Sequence, residues 1–222
     1  GDYLRSLPPF VHEVSIPFEL LNRGKKSIVV DLETERGQEI LCKLASKADV
    51  FLESFRPGTT KKLGCDFERI SKANNRIVYC SLTAFGQTGP YKDLPGHDIN
   101  ALSLSGFLCL NGKEPTVPAI QVGDLAGGML AALAIMSGLF ARQQRNEAQF
   151  IDASMLDALL SWLTIPLTLH LGGNLSMLAG ELPFYRLYRT RDSGFLAVAA
   201  IEPQFWEELC KLINRPELIP DQ

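Results

Sequence analysis

Three short stretches place acids or a histidine where a loop opens a helix or a strand ends. The first is Pro95-Gly96-His97-Asp98-Ile99-Asn100. A loop rich in Gly and Pro delivers an imidazole and a carboxylate to the start of an apolar helix. The first N–H groups of that helix lack intrahelical acceptors and can face an anion or a developing oxyanion. A plainer reading fits the same residues, with Asp98 as the helix N-cap and His97 as a surface loop residue. The second is Gln121-Val122-Gly123-Asp124-Leu125-Ala126-Gly127-Gly128. Asp124 precedes a helix so apolar that burial is expected, which puts the carboxylate beside a desolvated region. Gly127 and Gly128 each cost about 1 kcal/mol against Ala inside a helix, so something is expected to approach the backbone there. An N-cap aspartate followed by packing glycines accounts for the same pattern. The third is Ala200-Ile201-Glu202-Pro203. Glu202 ends a strand, a favoured place for function in α/β folds, and Pro203 suits a first helical position. It reads equally as a solvated loop glutamate. Asp152, in Ile151-Asp152-Ala153-Ser154, competes with these acids and is read as the cap of the following helix.

Several other chemistries lack their signatures. No G-x-S-x-G elbow and no Gly-rich phosphate loop occurs. His12, His97 and His170 are scattered without an H-x-x-x-H pair, so no metal is expected. The five cysteines are separated by fifteen positions or more, with no C-x-x-C, which points away from a zinc site or disulfide framework and toward a reducing compartment.

The elements that must position these residues follow from periodicity. Ser27 to Leu32 reads as a buried strand, Glu35 to Lys47 as a helix with Ile40, Leu41 and Leu44 inward, and Asp49 to Glu53 as a second strand. Helical stretches at Lys61–Leu63 and Phe67–Ala73 lead to a third strand, Arg76–Leu82. This alternation predicts a parallel α/β layer. Residues 1–24 read as irregular. After Asp98 the chain becomes helix-rich: Ile99–Phe107, Leu125–Gln144, and a helix through Trp162 after a short strand at Gln149–Ala153. Leu171 to Pro183 reads as a loop, followed by a strand at Gly194–Ala200 and a helix at Pro203–Ile213. The expected fold is therefore α/β, a parallel Rossmann-like layer, then a helix-rich part, then the start of a smaller α+β domain. The expected division is 1–170 for the large domain and 171–222 for the loop and small domain.

The length of 222 residues suits one large domain or two modest ones. Net charge is −3 with no like-charge run longer than two residues, which argues against a nucleic-acid or polybasic membrane surface. The longest apolar stretch, Leu125–Phe140, is shorter than the ~18 residues of a membrane span and reads as a buried helix. The chain opens without Met and stops soon after a helix-like segment, so a fragment is expected.

Several motifs in order resemble one family. Asn22-Arg23-Gly24-Lys25-Lys26-Ser27-Ile28, Phe85-Gly86-Gln87-Thr88-Gly89-Pro90-Tyr91, Gly96-His97-Asp98-Ile99-Asn100 and Gly123-Asp124 with Gly127-Gly128 resemble the family III CoA-transferase superfamily. Ala200-Ile201-Glu202-Pro203-Gln204-Phe205 resembles its α-methylacyl-CoA racemase branch. The resemblance implies catalysis by His97 and Asp124, with Glu202 paired to the histidine. It implies CoA contacts at Val29, Val30, Asp31, Leu32, Ser54, Phe55 and Lys62, and around the histidine at Gly96, Asp98, Ile99, Asn100 and Ala101. Position 62 is often Arg in the family, and lysine keeps the charge but loses the bidentate fork. The resemblance further implies absent N- and C-terminal segments, weak CoA binding by this chain alone, and a shortened Leu171–Pro183 loop. Coenzyme A is then part of an acyl-CoA substrate, with no other cofactor, and an interlinked cytoplasmic homodimer is expected. Racemisation needs two acid/base groups across the substrate and a site for an enolate oxygen, for which the Asp98 and Ile99 N–H groups are candidates. The competing reading is a CoA-transferase with Asp124 as nucleophile, which has no evident use for His97 or Glu202. A catalytically inert binding module is the third. Leu171, Leu175, Met177, Leu178 and Leu182 suggest a greasy acyl surface or an ordinary core.

Overall fold

The computed structural model describes residues 1–110, 114–173 and 179–222, which divide into two compact units, 1–41 and 42–222. The first unit is more ordered than its proline content predicts. Asp2 caps a 3-10 turn at Tyr3–Ser6, and a short hairpin pairs β1 (Phe10–Val11) with β2 (Val14–Ser15). Ser15 then caps α1 (Ile16–Asn22), with its hydroxyl accepting from the Phe18 N–H at 3.4 Å. The strand expected at Ser27–Leu32 does not form. No ladder partner meets it among the described residues, and Ile28 and Val29 are 65% and 96% exposed. A β-branched run becomes a strand only where another strand takes its backbone hydrogen bonds.

A helix, α2 (Glu35–Ala45), runs across the division. Its inner face is Cys42 and Ala45, whereas Leu44 is largely exposed. In the second unit β3 (Val50–Glu53), β4 (Val78–Thr83) and β5 (Gln149–Ser154) form a parallel sheet with β4 in the centre. Alternation along β4 decides what each face meets. Tyr79 points to one side, into a core with Ala45, Ile70 and Ile77, where its ring stacks on Phe51 at 5.0 Å. Its hydroxyl donates to the Cys65 carbonyl at 2.9 Å. Helices α3 (Thr59–Lys62) and α4 (Phe67–Ala73) link β3 to β4, and α4 supplies Ile70. Cys80 points to the opposite side, against Ala131 and Ala153.

Ala131 belongs to α6 (Val122–Ala141), which packs on β4, β5, α5 (Asp98–Ser105) and α7 (Met155–Trp162). The expectation of a wholly buried helix is corrected here. The buried residues are small: Gly123, Ala126, Gly127, Ala131 and Gly138. The large ones, Leu125, Met129, Leu133, Met136 and Phe140, recur at helical spacing on the other face and are each more than half exposed. Close approach to a flat sheet selects small side chains, which leaves the bulky ones outward. Gly127 fits the expectation of a close neighbour, since a Cβ there would lie 2.8 Å from Met155 Cγ. Gly128 does not, because nothing lies within 4 Å of its Cβ position.

Beyond α7 the chain forms α8 (Thr164–Leu171), a helix the sequence reading missed. The apolar residues Leu175, Met177 and Leu178 lie outside the described residues. A hairpin of β6 (Tyr185–Arg189) and β7 (Phe195–Ala199) follows, then α9 (Pro203–Leu212), which buries Trp206 and Cys210 against Ala200. The architecture is the expected α/β one, a parallel sheet with helices on its faces.

Candidate functional site

Parallel strands deliver their carboxyl ends to one edge of the sheet, where α/β proteins gather ligands. At the end of β3, Glu53 is 7% exposed and its carboxylate accepts from the Phe55 N–H at 2.8 Å. That bond turns the chain so that Ser54, Phe55 and Arg56 line a cleft of about 170 Å³. At the end of β4, Ala84 and Phe85 form a second wall, and Gly96 and His97 return to complete it. Three of the expected CoA contacts, Ser54, Phe55 and Gly96, thus share a cleft with the expected catalytic histidine.

The loop that carries His97 is tied down at both ends. Gly86, at φ +80°, turns the chain so that the Gln87 N–H donates to both oxygens of Asp152, at 3.0 and 2.9 Å. Asp152 is therefore a loop anchor. The cap of α7 is Ser154, whose hydroxyl accepts from the Asp157 N–H. At the far end Gly96 is wedged against Ala84 and the Phe85 ring. His97 itself is the N-cap of α5, with its N–H donating to Asn100 Oδ1 at 3.0 Å. Asp98 and Ile99 are the first two helical residues, so their N–H groups have no intrahelical acceptor. Ala101 is fully buried among Leu102, Ala126 and Leu159.

The plain reading of Asp98 and Asp124 as caps of their own helices is also corrected. Asp98 serves a different helix: its Oδ1 accepts from the Gly123 N–H at 2.6 Å and the Asp124 N–H at 3.1 Å. Asp124 sits in the first turn of α6, behind Gln121 as N-cap. Its carboxyl titrates above the ordinary value. Partial desolvation is the main cause and the Asp98 charge adds to it, while His97 pulls the other way. The carboxylate nonetheless remains open to solvent. An imidazole and a carboxyl are thus carried by the starts of two packed helices.

Other expected residues stand apart. Glu202 is the exposed N-cap of α9, and its carbonyl accepts from the Phe205 and Trp206 N–H groups. No hydrogen bond or ion pair among the described residues joins it to His97. Lys62 is exposed at the end of α3 and does not line the cleft, and Val29 to Leu32 belong to the first unit. The sequence reading missed two cations on the cleft wall, Arg56 and Lys92. Arg56 opens the Arg56-Pro57-Gly58 run just after β3, and a cation beyond a strand end is a signal the sequence carries. No group of three or more His, Cys, Asp or Glu side chains converges among the described residues.

Comparison with known proteins adds a family. The profile of CoA-transferase family III matches residues 1–222. The chain is 42% identical to α-methylacyl-CoA racemase of Homo sapiens over 213 residues, 91% of this chain and 56% of the relative. It is 37% identical to succinyl-CoA:glutarate CoA-transferase of Mus musculus over 100% of this chain and 52% of the relative. A crystal structure of a CaiB/BaiF family protein from Brucella suis superposes with a TM-score of 0.81 at 29% identity, covering 100% of this chain and 62% of that one. The chain thus spans about half the length of the curated relatives it matches.

Proposed function

This chain belongs to CoA-transferase family III, and from that premise we propose that the protein racemises 2-methylacyl-CoA thioesters by proton transfer at the carbon beside the carbonyl. One observation carries the reading: His97 and Asp124 stand at the starts of two packed helices, which the Asp98 carboxylate joins by accepting from the Gly123 and Asp124 N–H groups. In one direction Asp124 takes the C2 proton, the electron pair moves onto the thioester oxygen, and protonated His97 returns a proton to the opposite face. In the other direction the roles exchange. The Asp98 and Ile99 N–H groups would hold the enolate oxygen, since they lack intrahelical acceptors. A carboxyl with a raised pKa is better matched to accepting and returning a proton near neutrality than an ordinary one. Arg56 and Lys92 would attract the phosphates of CoA, with arginine able to form a bidentate pair. We assign Glu202 the orientation of the imidazole, and CoA contact to Val29–Leu32 and Lys62, on the resemblance alone. A smaller domain beginning near 171, an interlinked homodimer, a cytoplasmic location and the lack of any other cofactor rest on the same footing.

The likeness to succinyl-CoA:glutarate CoA-transferase favours a second reading, in which the Asp124 carboxylate attacks the thioester carbonyl and expels CoA thiolate to give a mixed anhydride. Incubation of the full-length protein with (R)-2-methylacyl-CoA in D₂O separates the two. Deuterium at C2 with loss of optical purity supports racemisation. Movement of CoA to an added carboxylic acid, without exchange at C2, overturns it in favour of transfer.

A further inference from the structure

We propose that Asp98 is a positioning residue for Asp124, its carboxylate joining the helix that carries His97 to the helix that carries Asp124. The proposal rests on the reading of Asp124 as the reacting carboxyl. Asp98 opens α5 directly after His97, yet its Oδ1 is committed 25 residues away, to the Gly123 N–H at 2.6 Å and the Asp124 N–H at 3.1 Å. Those donors belong to the first turn of α6, where N–H groups have no intrahelical partner. The carboxylate therefore replaces the missing cap, since Gln121 makes no side-chain cap bond. The fit is close: a Cβ at Gly123 would lie 3.0 Å from Asp98 Oδ1 and 3.4 Å from the Asp98 carbonyl. A glycine at 123 is what lets the two helix starts meet. Because His97 and Asp98 are consecutive, any drift of α6 relative to Asp98 changes the separation of the two proposed acid/base groups.

The same carboxylate also places a negative charge beside Asp124. The titratable groups acting on Asp124 are Asp98 and His97, both from α5. Helix α6 carries no other ionisable residue, and neither Asp157 of α7 nor Asp152 of β5 acts on it. Asp98 thus fixes where Asp124 stands and opposes its ionisation, two effects that different substitutions separate. Asp98→Asn keeps an oxygen acceptor for both N–H groups and removes the charge. Asp98→Ala removes both.

The test uses the full-length protein and the pH dependence of kcat/KM for the enantiomer whose proton Asp124 removes. In Asp98→Asn the acid limb should move to lower pH by about 1 unit, as expected for loss of one like charge at close range. In Asp98→Ala kcat should fall about 10²-fold in both directions, the scale of a misplaced catalytic group. An ordinary helix cap predicts a different result, in which Asn reproduces the wild-type pH profile. A superimposable Asp98→Asn profile, or an Asp98→Ala enzyme with wild-type kcat, overturns the proposal, and the Asn variant decides if the Ala variant does not fold. Failure of the underlying reading shows instead in the wild type, as CoA transfer without C2 exchange. The same profile is then measured on the transfer rate, because Asp124 is the reacting group there too.

Discussion

Gly96→Ala tests whether the cleft wall sets the position of His97. A Cβ at residue 96 would lie 2.6 Å from the Ala84 Cβ and 2.8 and 2.9 Å from two atoms of the Phe85 ring. Carbon atoms rest at about 3.5–4.0 Å, so the new methyl is roughly 1 Å too close. Ala84 has little room to yield. It is 9% exposed, and its carbonyl accepts from the Leu156 N–H at 3.1 Å and the Ser154 hydroxyl at 3.4 Å. The Phe85 ring is backed by Tyr91 at 6.0 Å between centroids. Displacement therefore falls on the 96–97 segment, which moves the imidazole while leaving α6 and Asp124 in place. A 1 Å error at a reacting group costs about 10²-fold in rate, and overpacking costs about 1–3 kcal/mol in stability. Deuterium exchange at C2 should fall by that factor from the enantiomer that His97 deprotonates, and by less from the other. Gly128→Ala serves as the control, since its Cβ meets nothing within 4 Å and the helix should gain about 1 kcal/mol. Wild-type exchange from both enantiomers in Gly96→Ala would falsify the claim that this contact holds His97 in register.

Asp124→Asn should abolish turnover under either reaction, and measurable activity would mean that the reacting carboxyl lies elsewhere. The same variant should melt at a higher temperature than wild type at pH 7. A carboxyl whose pKa is raised by folding contributes stability below its ordinary 3.8 and loses it as pH rises through the raised value. The difference between variant and wild type should vanish in melts below that pH, and a gain that persists there would contradict the sign. His97→Ala should reduce exchange from one enantiomer by more than about 10²-fold while the other persists in part; equal loss from both, or none, would contradict opposed proton transfer. Tyr79→Phe should cost about 1–3 kcal/mol in denaturant unfolding, because the buried Cys65 carbonyl loses its donor, with kcat unchanged.

Much of this architecture was legible because it rests on period. The largely apolar run of Val78 to Leu82 marked the central strand, and the apolar spacing of Pro203 to Ile213 marked α9 with one residue of error. What failed depended on partners. Ser27 to Leu32 has the composition of a strand, but no ladder meets it. Tyr185 to Arg189 reads Tyr-Arg-Leu-Tyr-Arg, with no clear apolar face at strand spacing, and became legible only through its pairing with Phe195 to Ala199. For α6 the error was one of orientation. Its hydropathy is high all round, so only packing shows that the small residues face the sheet. The sequence places Asp98 and Asp152 as caps of the helices that follow them, whereas their bonds run elsewhere. A local rule pairs a capping aspartate with its own helix, whereas Asp98 reaches a helix 25 residues away and Asp152 a loop 65 residues back. No one-dimensional pattern records such a reach.

On the proposed reading, the position of Asp124 is compatible with relatives of two different reactions, 42% and 37% identical to this chain. A carboxylate in the first turn of a helix, partly desolvated and beside another carboxylate, is suited both to moving a proton and to attacking a thioester. Neither role by itself specifies what faces that carboxylate. The features that hold Asp124, namely the Gly123 approach, the Asp98 bridge and the small-residue face of α6, serve either reaction. Discrimination must then come from what faces it. Proton transfer to the opposite side of a planar enolate requires a second acid/base group, and the residue at the α5 start is a histidine whose backbone N–H donates to Asn100 and whose loop is fixed by the Gly96 wedge. Acyl transfer requires only room for an incoming carboxylate. On the proposed reading, the residue at position 97 and the loop that fixes it would carry the choice between the two reactions.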